Sequence, residues 1–366
     1  MTEQVIIEVL PAEYGDSLLV NCRRNKDSHW ILIDGGTPGT RTLLGQRLKE
    51  LPGSRVDLAV VSHLDADHIG GIVELLADRA QSFDFDDIWF NGFRHVPAPP
   101  GTVRGYEQAE TLTTALTGMA SGRQLPWNQA WKGGAVMRAD DDDKTGTSLV
   151  DPPQVKTKWG MTITLLSPTP KRLTALWAGW DGYLKEVLRG ESSGQTYQER
   201  GRGDEAGGDL EQLAATTTKK DNTAPNGSSI AFLMEFGGRS CLFAADAFAT
   251  VLYPALARLA QRRGLKRLEV DVFKLPHHGS QANVLSPLFD VVRAKHYVVS
   301  TNSARFEHPD DVAMARVITM GGPNHAIWFN YATERTKHWD NPAWQRQYKY
   351  KVVYPKKRAS GVVLTI

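Results

Sequence analysis

Cysteine is scarce in this chain: only Cys22 and Cys241 occur in 366 residues. Two thiols so far apart exclude a disulfide-stapled secreted scaffold and any CxxC-type zinc or redox site. Both lie in apolar, strand-like surroundings, so buried free thiols and a reducing, cytoplasmic setting are expected. Long hydrophobic runs are lacking too. No stretch approaches the ~20 apolar residues that cross a bilayer, and the opening Met-Thr-Glu-Gln-Val has neither a basic nor an apolar leader. A soluble protein with no membrane partner is expected. Nor does charge of one sign dominate. The 43 Lys and Arg residues oppose 41 Asp and Glu for a net charge of +2. Bulk electrostatics therefore names no partner, and nucleic-acid binding must rest on a local patch. Short-period repeats are absent. The remaining balance, 41% hydrophobic and 23% charged residues, is that of an ordinary globular chain long enough to bury a sizeable core.

What the chain does have is a dense group of metal-ligand side chains at one point. The apolar, β-branched run 56–61 reads as a buried strand. The string His63-Leu64-Asp65-Ala66-Asp67-His68 follows it directly, then Gly70-Gly71, then a helical pattern over 72–80. Buried carboxylates and imidazoles without partners cost several kcal/mol, and a metal ion compensates them well. His63 and Asp65 are two apart and point the same way while the backbone stays extended. Asp67 and His68 lie beyond the bend and reach a second point. One loop can thus serve two ions roughly 3.5–4 Å apart, the spacing of two-metal hydrolytic sites. A helix cap in a solvated acidic loop accounts for a lone Asp here, but not for the whole string between strand and helix.

The rest of the chain reads as two ordered halves around a looser middle. Strands are expected at 5–10, 18–22 and 30–33, then a helix at 43–51 and the strand that feeds the ligand string. Over 91–225 the pattern loosens into an insertion, helical and loop-rich and partly mobile. It holds a helix at 106–120, a solvated charge block from Asp140 to Asp143, a strand at 161–166 and an amphipathic helix at 173–188. Residues 190–225 are polar and Gly-rich, the composition of a mobile lid or a disordered excursion. Order returns with a hairpin of 230–236 and 241–245 across Gly237-Gly238. Helices at 251–263, 285–292 and 312–320 alternate with strands at 270–275 and 296–300. Further strand-like pieces lie at 348–353 and 361–366.

In this second half, strand ends repeatedly deliver Asp or His. Asp246 follows Leu242-Phe243-Ala244-Ala245, His277 and His278 follow Phe273-Lys274-Leu275-Pro276, and His308 lies shortly past the strand ending at Ser300. Ligands gather outside the carboxyl ends of strands in open α/β architectures, so these segments are expected to converge with the His63–His68 string. His29, His95, His296, His325 and His338 fit no such pattern and read as ordinary core or surface histidines.

The string His-x-Asp-x-Asp-His followed by Ile-Gly-Gly resembles the signature loop of the metallo-β-lactamase superfamily. Asp65 stands where the usual loop has its second His, a replacement typical of the ComEC-like branch of soluble hydrolases. The resemblance extends to Ile33-Asp34-Gly35-Gly36, Phe243-Ala244-Ala245-Asp246-Ala247, Leu275-Pro276-His277-His278-Gly279-Ser280 and His308-Pro309, where Glu307 replaces the branch's Gly. It covers the first ~90 and last ~140 residues. It implies one α/β domain over 1–366, a metallo-β-lactamase-like four-layer αββα sandwich with the long central insertion 91–225. Asp34 then orients the signature loop from outside, and Asp246 bridges two metals. Asn226, with Ser228 and Ser229, lies where most relatives carry a metal-binding His. The implied metal ligands are His63, Asp65, Asp67, His68, Asp246, His278 and His308. Which of His277 and His278 binds metal stays open.

Asp65 in place of His makes the site richer in hard oxygen. Two divalent ions are expected, Mn²⁺ preferred over Zn²⁺. The reaction expected is phosphodiester hydrolysis by a water whose pKa two cations lower. Asp67 acts at that water, and His277 or His278 assists the departing oxygen. The resemblance implies a nuclease first, on DNA or RNA. Basic residues near the strand ends (Lys274, Arg293, Lys295, Arg305) favour single-stranded nucleic acid as partner, as does a basic tail interleaved with Trp339, Trp344, Tyr348 and Tyr350. A solvated face over an aromatic core is the plainer reading of that tail. The alternatives are a small-molecule hydrolase, phosphorylcholine-esterase-like or lactonase, and a regulatory binding module.

Overall fold

Strict alternation of buried and half-buried side chains makes the first segment, β1 (Glu3–Val9), a strand with one face inward. Val5, Ile7 and Val9 form that face. In the computed structural model, which describes residues 3–77, 83–97, 113–114, 125–140, 150–180, 209–357 and 360–366, β1 is followed by β2 (Leu18–Arg24) and β3 (Asp27–Ile33) in an antiparallel meander. The helix α1 (Arg41–Lys49) and the short β4 (Arg55–Val56) lead to β5 (Leu58–Val60), which lies parallel to β3. The helix α2 (Ala66–Ala77) then leads through β6 (Asp84–Phe85) to β7 (Ile88–Trp89).

The second sheet begins with β8 (Gln154–Lys156) and β9 (Thr162–Ser167), inside the stretch expected as an insertion. It continues through β10 (Ala231–Phe236), β11 (Arg239–Phe243), β12 (Leu268–Lys274), β13 (Val292–Val299), β14 (His325–Phe329) and β15 (Tyr350–Val353). The final strand, β16 (Val362–Thr365), returns to pair with β1. The sheet orders are β16-β1-β2-β3-β5-β7 and β15-β14-β13-β12-β11-β10-β9-β8, with β4 and β6 as a separate pair. Strands β11 to β15 run parallel.

Three apolar clusters define the layers. Val5, Ile7, Val20 and Ile31 of the first sheet meet Phe232, Met234, Phe243 and Val272 of the second, and Cys22 and Cys241 lie in this middle layer. Both cysteines are free, and burial pushes the Cys22 thiol up to about 12. The outer face of the first sheet is covered by Leu44, Leu48, Ile72 and Leu75, on α1 and α2. The outer face of the second is covered by Leu252, Leu256, Met314 and Val317, from the helices Ala249–Arg262 and Asp311–Met320. This is the expected αββα sandwich.

Local differences have local causes. The signature helix starts at Ala66, six residues before the expected position, because the backbone N–H groups of His68 and Ile69 already bond to the Asp65 carbonyl. The segment 209–225, part of the expected excursion, is built: the helix Leu210–Ala214 buries Leu210 and Ala214 in the second sheet's outer core. The expected helix at 285–292 shortens to Leu288–Val291, because β13 begins at Val292. The helix expected at 106–120 lies outside the described residues except for 113–114, as do 141–143 of the charge block, 181–188 of the amphipathic helix and 190–208. Among the described residues no helix is long and apolar enough to cross a membrane.

Candidate metal centre

The parallel strands set the site. Asp34 follows β3, His63 follows β5, Asp246 follows β11, His277 and His278 follow β12, and Ser300 follows β13. Three of these turns hold four non-glycine residues with positive φ: Asp34 at 58°, Ala245 at 46°, and the neighbours His277 at 48° and His278 at 52°. Such backbone costs about 1–3 kcal/mol per residue and persists only where the surroundings over-determine it. Here it aims side chains at one point. The loop at 14–17 locks the start of α2 from outside. The Asp16 N–H donates to the Asp67 carbonyl (3.1 Å) and the Gly35 N–H to the His68 carbonyl (2.7 Å). The approach is so close that a Cβ on Gly15 would lie 1.8 Å from that Asp67 oxygen.

Four imidazoles share one plan: each ties Nδ1 to an outer acceptor and turns Nε2 toward the carboxylates within. His68 Nδ1 donates to Asp34 Oδ2 (2.9 Å), which also accepts from Ser62 Oγ (2.7 Å). Because Ser62 donates there, its oxygen is free to accept from His63 Nδ1 (3.0 Å). His278 Nδ1 donates to the Ser300 carbonyl (2.7 Å), and His277 Nδ1 to Asn283 Oδ1 (3.0 Å). On the inner side, His68 Nε2 lies 3.3 Å from Asp246 Oδ1, and His63 Nε2 lies 4.0 Å from Asp246 Oδ2 and 3.7 Å from Asp65 Oδ2. His278 Nε2 is 3.3 Å from Asp67 Oδ2 and 3.9 Å from Asp246 Oδ2, and His277 Nε2 is 3.6 Å from the same Asp246 oxygen. These tautomers follow from the acceptors that the rings face, and the pattern is that of metal-ligating histidines held by outer partners.

The residues fit divalent ions. His63 Nε2, His68 Nε2, His278 Nε2 and Asp246 Oδ1 are buried and have no hydrogen-bond partner among the described residues, an arrangement that calls for a cation. The ligand atoms of His63, His68 and Asp246 lie within 4.8 Å of one another, as do those of Asp67, His68 and His278. A third grouping, Asp16, Asp34 and His68, is equally compact. There the buried Lys274 ammonium pairs with Asp16 and already supplies the positive charge.

Without a metal, the carboxylates hold protons on the rings. Burial disfavours charge on His68, but Asp246 and Asp34 outweigh it and raise its pKa well above the ordinary value. Burial is likewise outweighed at His277, where Asp246 and Asp221 push it up to about 10, and at His278, raised by Asp16 and Asp246. Asp246 and Asp67 move the other way: burial alone would raise them, but His68 and its neighbours hold both below the carboxylate range. His308 differs, since burial lowers it more than Asp310 raises it.

Of the residues singled out in the sequence, the structure brings together His63, Asp65, Asp67, His68, Asp246, His277 and His278, with Asp34 directly behind them. Asn226 sits behind His277, its amide 3.3 Å from that ring's Nδ1. His308 stands at the rim, its ring centroid 5.2 Å from that of His277, with Nδ1 facing Asp310 Oδ1 at 3.4 Å. No compact ligand grouping among the described residues includes it. The sequence reading missed Asp16, Lys274, Asp221 and Asn283. Lys274, expected beside a nucleic acid, is instead buried against Asp16 and cannot reach a polymer. The tail aromatics also belong to the core: Trp339 and Tyr350 are buried, and Trp344 and Tyr348 pack against them.

Comparison with known proteins agrees with this geometry where it bears on it. Residues 10–80, which contain Asp34 and the His63–His68 string, match the metallo-beta-lactamase superfamily. No curated protein matches the chain in sequence. Among solved structures, the metallo-β-lactamase fold protein YhfI from Bacillus subtilis is 11% identical over 100% of both chains, with a TM-score of 0.45. CmlA, a diiron β-hydroxylase from Streptomyces venezuelae, is 14% identical over 100% of this chain and 54% of its own, with a TM-score of 0.37. A metallo-β-lactamase with a HARLDQ motif from Cronobacter sakazakii is 14% identical over 73% of this chain and 76% of its own, with a TM-score of 0.30. At these TM-scores none of the three bears on what this chain does. Over residues 10–80 the chain is thus similar to the metallo-β-lactamase superfamily, and its buried His/Asp cluster could hold metal ions.

Proposed function

We propose that the protein is a two-metal phosphodiesterase of the ComEC-like branch, acting on DNA or RNA. The observation that carries the reading is the ring of inward-facing Nε2 atoms around the Asp246 carboxylate. His63, Asp65 and Asp246 would hold one ion, and Asp67, His68, His278 and Asp246 the other. When bound, the ions supply Lewis-acid stabilisation of the phosphoryl oxygens and acidify a water toward neutrality. In the hydrolysis, water oxygen bonds to phosphorus, the P–O bond to the leaving alcohol breaks, and the water's proton must be taken up. Asp67 is buried and kept ionised, so it would accept a hydrogen bond from the water and orient it, and the proton released ends on the departing alkoxide oxygen. The mixed imidazole–carboxylate set accepts either ion, and the carboxylate of Asp65 tips it toward Mn²⁺ over Zn²⁺.

A nucleic-acid substrate is favoured by the rim. The Arg305 guanidinium lies over the rings of Tyr14 (5.4 Å) and Phe306 (5.3 Å), and Phe306 is 6.1 Å from the His308 ring. Two aromatic faces and a guanidinium beside the site suit a base and a phosphate of one nucleotide. The test is incubation with Mn²⁺ and labelled single-stranded DNA, RNA or bis(p-nitrophenyl) phosphate. Wild-type protein is expected to cleave at least one polymer. Asp67→Ala is expected to fall below detection while keeping its fold by circular dichroism. Cleavage of the generic diester alone would point to a small-molecule hydrolase, and retained activity in Asp67→Ala would remove that residue from the reaction.

A further inference from the structure

We propose that His277 is a nitrogen ligand of the ion held by His63 and Asp65, and that Asp221 is the residue that positions it. The inference rests on the two-ion reading of the site but not on the substrate.

Without His277, that ion draws on His63, Asp65 and a carboxylate, Asp246, that it shares with the second ion. The Asn226 amide nitrogen donates to Asp221 Oδ2 (2.7 Å) and faces the His277 ring, and its Oδ1, buried without a hydrogen-bond partner among the described residues, offers that ion a neutral oxygen at most and no second nitrogen. The His277 ring does meet the need. Its Nε2 lies 3.6 Å from Asp246 Oδ2, the oxygen that His63 Nε2 approaches to 4.0 Å. The left-handed pair His277–His278 is what allows two neighbouring rings to converge on one carboxylate from different sides. In extended backbone, adjacent side chains point to opposite faces.

The far side of the ring is built to the same plan as the other three histidines. Asn283 Oδ1 accepts from Nδ1, and Asp221 Oδ2 lies 3.4 Å from it. Asp221 is buried and fully engaged. It accepts from the Thr223 N–H (2.9 Å) and hydroxyl (3.0 Å), from Asn226 (2.7 Å) and from Asn283 (3.1 Å). Asn283 also donates to the Asp246 carbonyl (3.1 Å), so one amide fixes the carboxylate that orients the ring and the backbone of the shared ligand together. A carboxylate behind a histidine raises the ring's basicity and fixes its orientation toward a metal. His278 has a backbone carbonyl in that place and His68 has Asp34, bonded directly, whereas Asp221 stands behind His277 through Asn283 and by its own 3.4 Å approach to Nδ1.

Metal-free protein titrated with Mn²⁺ and with Zn²⁺, followed by elemental analysis after gel filtration, tests the assignment without any turnover. Wild type is expected to bind two ions. His277→Ala and His277→Gln should both keep the ion of Asp67, His68 and His278 and bind the other at least tenfold more weakly. Asp221→Asn, close to isosteric, should retain both sites and weaken one by about 10–100-fold. Unchanged affinity for two ions in both His277 variants overturns the proposal. So does a wild-type stoichiometry of one that is indifferent to His277. A protein that binds two ions in this manner yet cleaves no phosphodiester leaves His277 in place and removes the proposed reaction instead.

Discussion

Asp16 and Lys274 show how a single pair of residues can support a metal site from behind. Both are buried, and the Lys274 ammonium sits against a carboxylate that also lies 3.3 Å from His278 Nδ1 and 3.9 Å from His68 Nδ1. Burial would raise the Asp16 carboxyl, yet Lys274 and His278 hold it below the ordinary range. Lys274→Met removes that cation and leaves a buried carboxylate undercompensated. We expect a loss on the order of 3 kcal/mol in urea denaturation of the metal-free protein, and recovery of most of it in Asp16→Asn/Lys274→Met. Neither residue was legible in the sequence. Asp16 stands in a turn between two apolar strands, where a turn former is the ordinary reading. Lys274 differs from a surface lysine only through the tertiary partner it meets 258 positions away. The His63–His68 string, by contrast, was legible because its chemistry is packed into six consecutive residues.

At the scale of elements, the segment 209–225 becomes part of the site through Arg316. This arginine, on the helix Asp311–Met320, is 3% exposed. It donates to the carbonyls of Ala214 (3.2 Å) and Thr216 (2.6 Å) on one side, and of Gln281 (3.1 Å) and Val284 (2.9 Å) on the other. It thus clamps the stretch that brings in Asp221 to the stretch that brings in Asn283. Arg316→Met takes a donor from all four carbonyls, of which Gln281 keeps the Thr218 hydroxyl (2.9 Å), and should lower stability by about 2–4 kcal/mol, read as a fall in the denaturation midpoint. The clamp also explains why the sequence misled here. Polar, Gly-rich composition signals disorder because it offers little apolar burial, but backbone carbonyls gathered by one buried guanidinium leave no compositional trace. The longer strands, whose apolar pattern is local, lie within a few residues of their expected bounds, whereas the short β6, β7 and β8, two or three residues each, carry no such pattern and were not expected.

For the whole molecule, two sheets bring the carboxyl ends of β3, β5, β11, β12 and β13 to a single edge, and most of the charge buried there is mutual. His68, His277 and His278 are raised, His277 to about 10, and Asp246 and Asp67 are lowered. In the metal-free fold, the stability contributed by the lowered carboxylates is present above about pH 4 and is lost as pH falls. That of the raised histidines is complete below about pH 6.5 and is lost as pH climbs toward 10. Ligation requires neutral imidazole, so each ion must displace protons that the carboxylates hold on the rings. Metal affinity should therefore rise with pH from 6 to 8.5, opposite in sign to the histidines' contribution to the metal-free fold. The most direct test is calorimetric titration of metal-free protein with Mn²⁺ across that range, in buffers of different ionisation enthalpy. We predict two ions per chain, protons released on binding, and affinity that strengthens at each higher pH. Fewer than two ions, or binding that is indifferent to pH and releases no protons, would contradict a metal centre built from these histidines and carboxylates.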